Sequence, residues 1–175
     1  MKVLKWIVIG VAGLAVVLTL IGFLLPSTFR VERSAEIRAP AEKVYALIED
    51  PRAWARWTVW NQRDPQMKMT YSGAASGPGA KWSWESKTEG NGAMEFTRAD
   101  PGKMVEYRLS FPELGMSSTG RLTLLAGATG TRISWANEGD MGANPYMHYF
   151  AVLMNRMVGP DFEAGLARLK ALAEQ

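Results

Sequence analysis

Residues 93–111 read AMEFTRADPGKMVEYRLSF, and this stretch decides the fold. Apolar and polar side chains alternate on both sides of Asp100-Pro-Gly102, a tripeptide typical of a tight turn. Two alternating segments joined by so short a turn predict an antiparallel β-hairpin.

The same alternation recurs along most of the chain. It predicts six strands, near 67–72, 81–87, 93–100, 104–111, 117–125 and 131–138, and an earlier strand over 29–38. Because hairpin-like connections join the six, we expect one antiparallel sheet. Its covered face should carry Trp82, Trp84, Met94, Phe96, Val105, Tyr107, Leu109, Leu122, Leu124, Ile133 and Trp135, and its opposite face charged and hydroxyl side chains.

Helices are predicted on either side of this sheet. Pro40 opens a helix that Asp50-Pro51 ends, and a short helical piece follows over 52–57. From Tyr146 to Ala173 the apolar period returns to about 3.6. The stripe comprises Phe150, Met154, Met157, Val158, Phe162, Leu166, Leu169 and Leu172, and Gly159-Pro160 should bend or split this helix. The fold class predicted from these elements is α+β.

Residues 6–25 form an uncharged run whose only polar side chain is Thr19. A helix of this length covers roughly 30 Å, the thickness of a bilayer's hydrocarbon core. We expect an uncleaved transmembrane anchor over residues 1–27 and one domain over 28–175. A cleaved signal peptide and a buried core helix are the alternatives. The expected location is a bacterial inner membrane, crossed once, with the domain on the extracytoplasmic (periplasmic) side.

Composition excludes several classes of site. The chain has no cysteine, which excludes disulfides, thiolate metal sites and cysteine nucleophiles. Of the 20 Lys and Arg residues, Lys2 and Lys5 precede the apolar run, and the other 18 nearly balance 17 Asp and Glu residues. Without a dense basic cluster, nucleic-acid binding is not expected.

Five segments carry a resemblance to a known family: residues 31–45 (VERSAEIRAPAEKVY), 50–54 (DPRAW), 57–61 (WTVWN), 77–82 (GPGAKW) and 159–166 (GPDFEAGL). With the order of elements, they make residues 28–174 similar to the START-like (SRPBCC) superfamily, in its polyketide cyclase/dehydrase-like branch. The resemblance implies a helix-grip fold, in which a curved antiparallel sheet wraps around a long C-terminal helix. It also implies an apolar cavity between the two.

Large apolar and amphipathic side chains on the covered face and the last helix are the candidates for the cavity wall. They are Trp57, Trp60, Trp82, Trp84, Phe96, Tyr107, Phe111, Trp135, Asn137, Met154 and Phe162. The polar groups expected to reach the cavity are Asn61, Ser86, Ser118 and Asn137. Core packing alone would also account for most of the aromatic residues.

Catalytic and metal-ligating patterns are weak in this sequence. His148 is the only histidine, and we expect it on the surface or at the cap of the last helix. Asp161 either points towards the mouth of the cavity or stabilises the start of the helix after Pro160. We therefore predict no catalytic residue, no metal and no cofactor.

Three functions fit these observations. The first is a membrane-anchored protein that binds a hydrophobic small molecule or lipid, since mostly apolar walls with few polar groups suit such ligands. The second is an enzyme of cyclase or dehydratase type, which would need an acid or base in the cavity. The third is a protein-interaction domain like that of related co-chaperones. The oligomeric state is left open.

Overall fold

A computed structural model describes residues 2–175 and shows one antiparallel sheet of seven strands, which does not close into a barrel. The strand order is β1-β7-β6-β5-β4-β3-β2. The strands are β1 Thr28–Ile37, β2 Lys68–Gly73, β3 Ala80–Glu85, β4 Gly92–Asp100, β5 Met104–Phe111, β6 Met116–Gly127 and β7 Gly130–Asp140. The predicted sheet and its antiparallel order are confirmed.

The hairpin over residues 93–111 forms as its pattern predicts. Met94 lies opposite Leu109, and Asp100 lies opposite Met104. Gly102 has a φ of 72°, a left-handed conformation that glycine adopts without a steric penalty. This turn lets β4 and β5 pair directly, and a bulge between Phe96 and Arg98 adds local twist.

Alternation along the strands separates a buried face from a wet face, as predicted. Nine of the eleven covered-face residues are buried: Trp82, Met94, Phe96, Val105, Tyr107, Leu122, Leu124, Ile133 and Trp135. Trp84 and Leu109 are half-buried and pack against this cluster. The opposite face carries ion pairs such as Arg121–Glu106 and Lys81–Glu95.

Five helices complete the fold: α1 Lys2–Leu24, α2 Ala41–Ile48, α3 Pro51–Trp57, α4 Trp60–Arg63 and α5 Pro145–Ala173. The Asp50 side chain caps α3 by accepting from the Arg52 N–H at 2.8 Å, and Pro51 occupies the first turn. Asn144 caps α5 in the same way, through the Tyr146 N–H. The architecture is therefore α+β and helix-grip-like, with an apolar helix preceding the domain.

Gly159-Pro160 does not split the last helix, because α5 runs unbroken from Pro145 to Ala173. The prediction of one buried stripe along this helix holds only for its second half. Phe162, Leu166 and Leu169 are buried against the sheet, whereas Phe150 is 49% exposed and Met157 is 56% exposed. Periodicity reveals an apolar face but not what covers it.

The first half of α5 instead lies beside the end of α1. The Tyr149 hydroxyl donates to the Leu18 carbonyl at 2.7 Å, and Pro145 packs on Gly22. The expected surface or capping role of His148 is wrong. Its ring is buried, and its two nitrogens lie 2.8 Å from the Gly22 carbonyl and 2.9 Å from the Gly142 carbonyl.

One end of the sheet lies next to α1, and we call it the anchor-side end after the anchor predicted there from the sequence. β1 begins there at Thr28, which lies opposite Asp140 at the end of β7. β5 ends there, with Phe111 opposite Met116 at the start of β6. Only Leu25, Pro26 and Ser27 separate this end from α1.

Candidate functional site

A cavity of about 190 Å³ lies between the sheet and α5 at the anchor-side end. The residues around it are mostly apolar and come from β1, from β2 to β7, from α3 to α5 and from their connections. They are Phe29, Trp54, Ala55, Thr58, Trp60, Asn61, Met67, Met69, Trp82, Trp84, Glu89, Met94, Tyr107, Leu109, Phe111, Met116, Ser117, Ser118, Asn137, Asp140, Met154, Val158 and Phe162. The opposite end of the sheet is filled by packed aliphatic side chains, including Val105, Leu122 and Leu169, which are fully buried.

An aromatic cluster lies at the base of this cavity and behind its wall. The Trp135 and Phe162 rings are stacked, with centroids 3.8 Å apart and planes 3° apart. Trp54 contacts Trp57 and Tyr107 with centroids 4.8 and 5.3 Å apart. Two of the buried indoles bond to backbone carbonyls: Trp54 Nε1 donates to Ile48 and Trp57 Nε1 to Leu47. This cluster joins α3 and α5 to β7.

The structure brings eight of the eleven candidate wall residues together around the cavity. These are Trp60, Trp82, Trp84, Tyr107, Phe111, Asn137, Met154 and Phe162. Trp57, Phe96 and Trp135 do not line it, because they are fully buried behind the wall. Of the expected polar groups, Asn61, Ser118 and Asn137 reach the cavity. Ser86 lies in the β3–β4 connection and does not reach the cavity, because its hydroxyl turns to Asp64 and donates to it at 2.6 Å.

Several residues around the cavity were not among the candidates. Met94 and Leu109 share the covered face, so their parity could have indicated them. Trp54 belongs to the same aromatic segment as Trp57. Phe29 and Met116 lie at the starts of β1 and β6. They line the cavity because it is located at that end of the sheet, which the sequence does not indicate.

The Tyr107 hydroxyl is the polar group at the base of the cavity. It accepts from Trp135 Nε1 at 2.9 Å and from Asn137 Nδ2 at 3.5 Å. Burial raises the pKa of Tyr107 to about 12, although both hydrogen bonds oppose that rise. The hydroxyl therefore stays protonated at neutral pH and can donate one hydrogen bond.

Replacing Tyr107 by phenylalanine is expected to lower the free energy of unfolding by about 1–3 kcal/mol, because two buried N–H donors lose their acceptor. Denaturant unfolding of the full chain in detergent measures the change. Tyr71→Phe, the same substitution at a half-buried site away from the cavity, is the control and should cost less. Equal stability of the two variants would contradict the assigned hydrogen bonds.

A polar cluster closes one side of the cavity rim. Asp161 on α5 accepts from Trp60 Nε1 at 3.0 Å and from the Arg63 guanidinium. Arg63 also lies 3.7 Å from Glu89, in the β3–β4 connection. Asp161 thus fixes α4 against α5 at the rim, rather than only stabilising a helix start.

Ionisable groups are few inside the cavity. Within residues 2–175, no group of three or more His, Asp or Glu side chains is placed to hold a metal ion. Asp140 lies at the exposed edge, where the Gly142 N–H holds the pKa of its carboxyl below the usual range. The cavity is suited to binding an apolar group and offers Tyr107 and Asn137 for a polar one.

Residues 28–174 match the family described as "Polyketide cyclase / dehydrase and lipid transport". The chain belongs to this family. The match covers all seven strands and the helices α2 to α5, and it leaves α1 outside. No curated protein matches the chain in a sequence comparison.

Solved structures agree with membership of the polyketide cyclase/dehydrase family at the level of the fold. Protein MLL2253 from Mesorhizobium loti has a TM-score of 0.60 at 18% identity, with 82% of this chain and 95% of that chain covered. The Aha1 dimer from Colwellia psychrerythraea has a TM-score of 0.58 at 17% identity, covering 83% and 96%. The di-domain ARO/CYC StfQ of the steffimycin biosynthetic pathway has a TM-score of 0.62 at 13% identity, covering 84% and 51%.

Because one fold hosts many functions, function rests on the site. In this chain the family fold holds an apolar cavity with a protonated tyrosine at its base. The outer face of the sheet is polar, and Arg30 there forms ion pairs with Glu32 and Glu138. The inner cavity, not the outer face, is the candidate functional site.

Proposed function

We propose that this protein is a membrane-anchored binding protein for a hydrophobic small molecule or lipid, held between the sheet and α5. The observation that carries the proposal is the apolar cavity at the anchor-side end, with the Tyr107 hydroxyl at its base. Apolar walls with a few placed polar groups are typical of small-molecule sites.

The ligand would contact the candidate residues that line the cavity. These are Trp60, Trp82, Trp84, Tyr107, Phe111, Asn137, Met154 and Phe162. Trp57, Phe96 and Trp135 would support this wall from behind. A carbonyl or hydroxyl oxygen on the ligand would accept from Tyr107, and Asn137 beside it would supply a second polar contact.

The size of the cavity limits the ligand that it holds without rearrangement. A dry cavity of about 150 Å³ binds benzene, so 190 Å³ admits a single ring or a short alkyl chain. Five methionines surround the cavity: Met67, Met69, Met94, Met116 and Met154. Because the unbranched methionine side chain adapts its shape easily, a longer ligand would enter by displacing these groups.

Membrane anchoring is part of the proposal. One helix, Val3–Leu24, is long and apolar enough to cross a membrane. Nearly all of it is exposed, unlike the core helix of a soluble domain. Its contacts through Leu18, Thr19 and Gly22 with α5 would be lost if α1 were cleaved as a signal peptide. We propose that α1 is retained and that the domain is extracytoplasmic.

Native mass spectrometry of the full chain, purified in mild detergent, tests the binding function. The expected result is a complex with a co-purified apolar molecule that organic solvent extracts and whose mass identifies it. The domain should retain the molecule when annular lipids are stripped by detergent exchange. A chain that carries no such molecule and takes up none from a lipid extract would overturn the proposal.

The double substitution Leu14→Arg and Val17→Arg tests the anchor. Each arginine near the centre of a span costs about 2.5–3.5 kcal/mol, so the variant should leave the membrane pellet on alkaline carbonate extraction, while the wild type remains in it. Arg substitution of two exposed domain residues, Thr97 and Leu125, is the matched control. The intact mass of the purified wild type shows whether residues 1–27 are retained, and protease protection reports the side on which the domain lies.

A cyclase or dehydratase activity is the second candidate, and one observation favours it. Tyr107 lines the cavity, and its protonated hydroxyl could donate to a substrate carbonyl that reached it. Glu89 and Asp140 are the only carboxylates that line the cavity in the part of the chain described, and Asp161 lies at its rim. Conversion of the co-purified molecule to a product of different mass, lost in Tyr107→Phe, would move this candidate to first place.

A further inference from the structure

Four apolar side chains on the first half of α5 are exposed and share one side of the helix. They are Tyr146 (50% exposed), Phe150 (49%), Leu153 (46%) and Met157 (56%), and we call them the α5 stripe. At about 100° per residue, their directions fall within roughly 60° of one another. An apolar stripe of this kind normally lies against an apolar partner.

The α5 stripe is continuous with two other apolar surfaces. On one side of the helix the stripe meets α1. The hydroxyl of its own Tyr146 lies 2.6 Å from the Thr19 hydroxyl, and the adjacent Tyr149 bonds to Leu18. On the other side the stripe borders Met154 and Val158, which line the cavity. The stripe therefore lies between the exposed surface of α1 and the cavity wall.

The short link between α1 and the domain determines where along the length of α1 the stripe lies. Three residues between α1 and β1 span about 10 Å at most, and the Met141 N–H donates to the Ser27 carbonyl at 2.9 Å. Leu18 is six residues from the end of α1 at Leu24, or about 9 Å along the helix axis. The first turns of α5 are thus held beside the last turns of the apolar helix.

We propose that the α5 stripe inserts into the membrane interface and holds the anchor-side end of the sheet, with its cavity, against the bilayer. This inference rests on the proposed role of α1 as a membrane anchor. An interfacial helix buries its apolar face about 5–10 Å into the headgroup and acyl boundary, which matches the depth at which Leu18 meets Tyr149. Tyrosine is also enriched at that boundary.

The distribution of charged side chains around the stripe is consistent with its binding to a lipid surface. The stripe itself carries no ionisable carboxylate or ammonium group, while Arg156 follows Leu153 on the flank of α5 and is exposed. Leu114 is 69% exposed, in the β5–β6 connection at the same end of the sheet. A hydrophobic ligand dissolved in the bilayer would then reach Met154 and Val158 without crossing bulk water.

The absence of cysteine in the chain makes the test direct. Phe150→Cys and Leu153→Cys are each labelled with a small fluorophore, and the full chain is reconstituted into vesicles of phosphatidylethanolamine and phosphatidylglycerol. Replacing part of the lipid by lipid with spin-labelled acyl chains should quench both probes severalfold. Leu125→Cys is the matched control: it is 68% exposed, lies at the opposite end of β6 and should not be quenched.

A probe at Val17→Cys separates failure of this inference from failure of the anchor. If the Val17 probe is quenched and the stripe probes are not, the anchor stands and the inference is wrong. If none is quenched, the anchor proposal fails and this inference fails with it. Oxidation of Leu153→Cys to disulfide-linked dimers, with no lipid quenching, would instead make a second copy of the chain the occupant and overturn the inference.

Discussion

Replacing Trp135 by alanine is expected to lower the free energy of unfolding by about 3–5 kcal/mol, the cost of removing a large buried aromatic side chain. Trp135 is fully buried and stacks on Phe162 at 3.8 Å. Its ring also contacts Trp57 and Trp60, with centroids 5.2 and 5.9 Å apart. Loss of the indole therefore loosens α3, α4 and α5 from β7 at once.

Denaturant unfolding of the detergent-solubilised full chain, followed by far-ultraviolet circular dichroism, measures this change. Trp84→Ala removes the same atoms from a half-buried place at the cavity and should cost clearly less. Trp135→Phe retains the stacked ring but loses the donor to Tyr107, so its stability should fall between wild type and Trp135→Ala. A loss at Trp135 no greater than that at Trp84 would mean that the aromatic cluster does not hold the helices to the sheet.

Filling the cavity is expected to raise the dissociation constant of the ligand roughly sixtyfold and so to lower ligand occupancy. Leu109→Trp places an indole in the space between Met94 and the α5 wall. If it displaces about 100 Å² of apolar ligand contact at about 25 cal/mol per Å², binding weakens by about 2.5 kcal/mol. The free energy of unfolding should change less than binding does, because the new side chain enters existing space.

The fraction of ligand-bound protein in native mass spectra, normalised to the wild type, measures this effect. Leu125→Trp makes the same change at an exposed site of β6, away from the cavity, and should leave occupancy unaltered. Undiminished occupancy in Leu109→Trp, with normal stability, would place the ligand outside this cavity. A parallel loss in Leu125→Trp would point to a nonspecific effect of the added indole.

Most of the sheet could be predicted because its physical cause is local. Side chains such as Val105 and Tyr107 alternate with Glu106 and Arg108 along a strand, and a strand has only two faces. Turn residues such as Gly102 mark where each strand ends. Together, parity and turns determine which residues point inwards.

The distance of each inward-facing residue from the anchor-side end of the sheet could not be predicted in the same way. Trp135 and Asn137 share one face of β7, yet Trp135 is packed into the core and Asn137 reaches the cavity. The difference is their distance from the anchor-side end, which depends on how seven strands align in register. Phe96 is a second example: its parity predicts a place at the cavity wall, but its distance from the anchor-side end puts it behind that wall.

The error in α5 has a related origin. Phe150 and Met157 fit the same helical period as Phe162 and Leu166, so the sequence shows one stripe. The helix is longer than the sheet that it crosses, and its first half lies beside α1 instead. His148 illustrates the same limit, because its burial depends on a carbonyl 126 residues earlier in the chain, at Gly22.

Pro160 in the interior of α5 divides the helix energetically, although its backbone is continuous. Proline supplies no N–H, so the turn before it has one hydrogen bond fewer, and the large apolar side chains that α5 buries in the core, Phe162, Leu166 and Leu169, all follow it. The first half of α5 can therefore unfold locally at a lower free-energy cost than the second half, which stays with the sheet. Met154 and Val158 belong to the less protected half, so we expect the proposed ligand to leave by local unfolding of this wall, without unfolding of the whole domain.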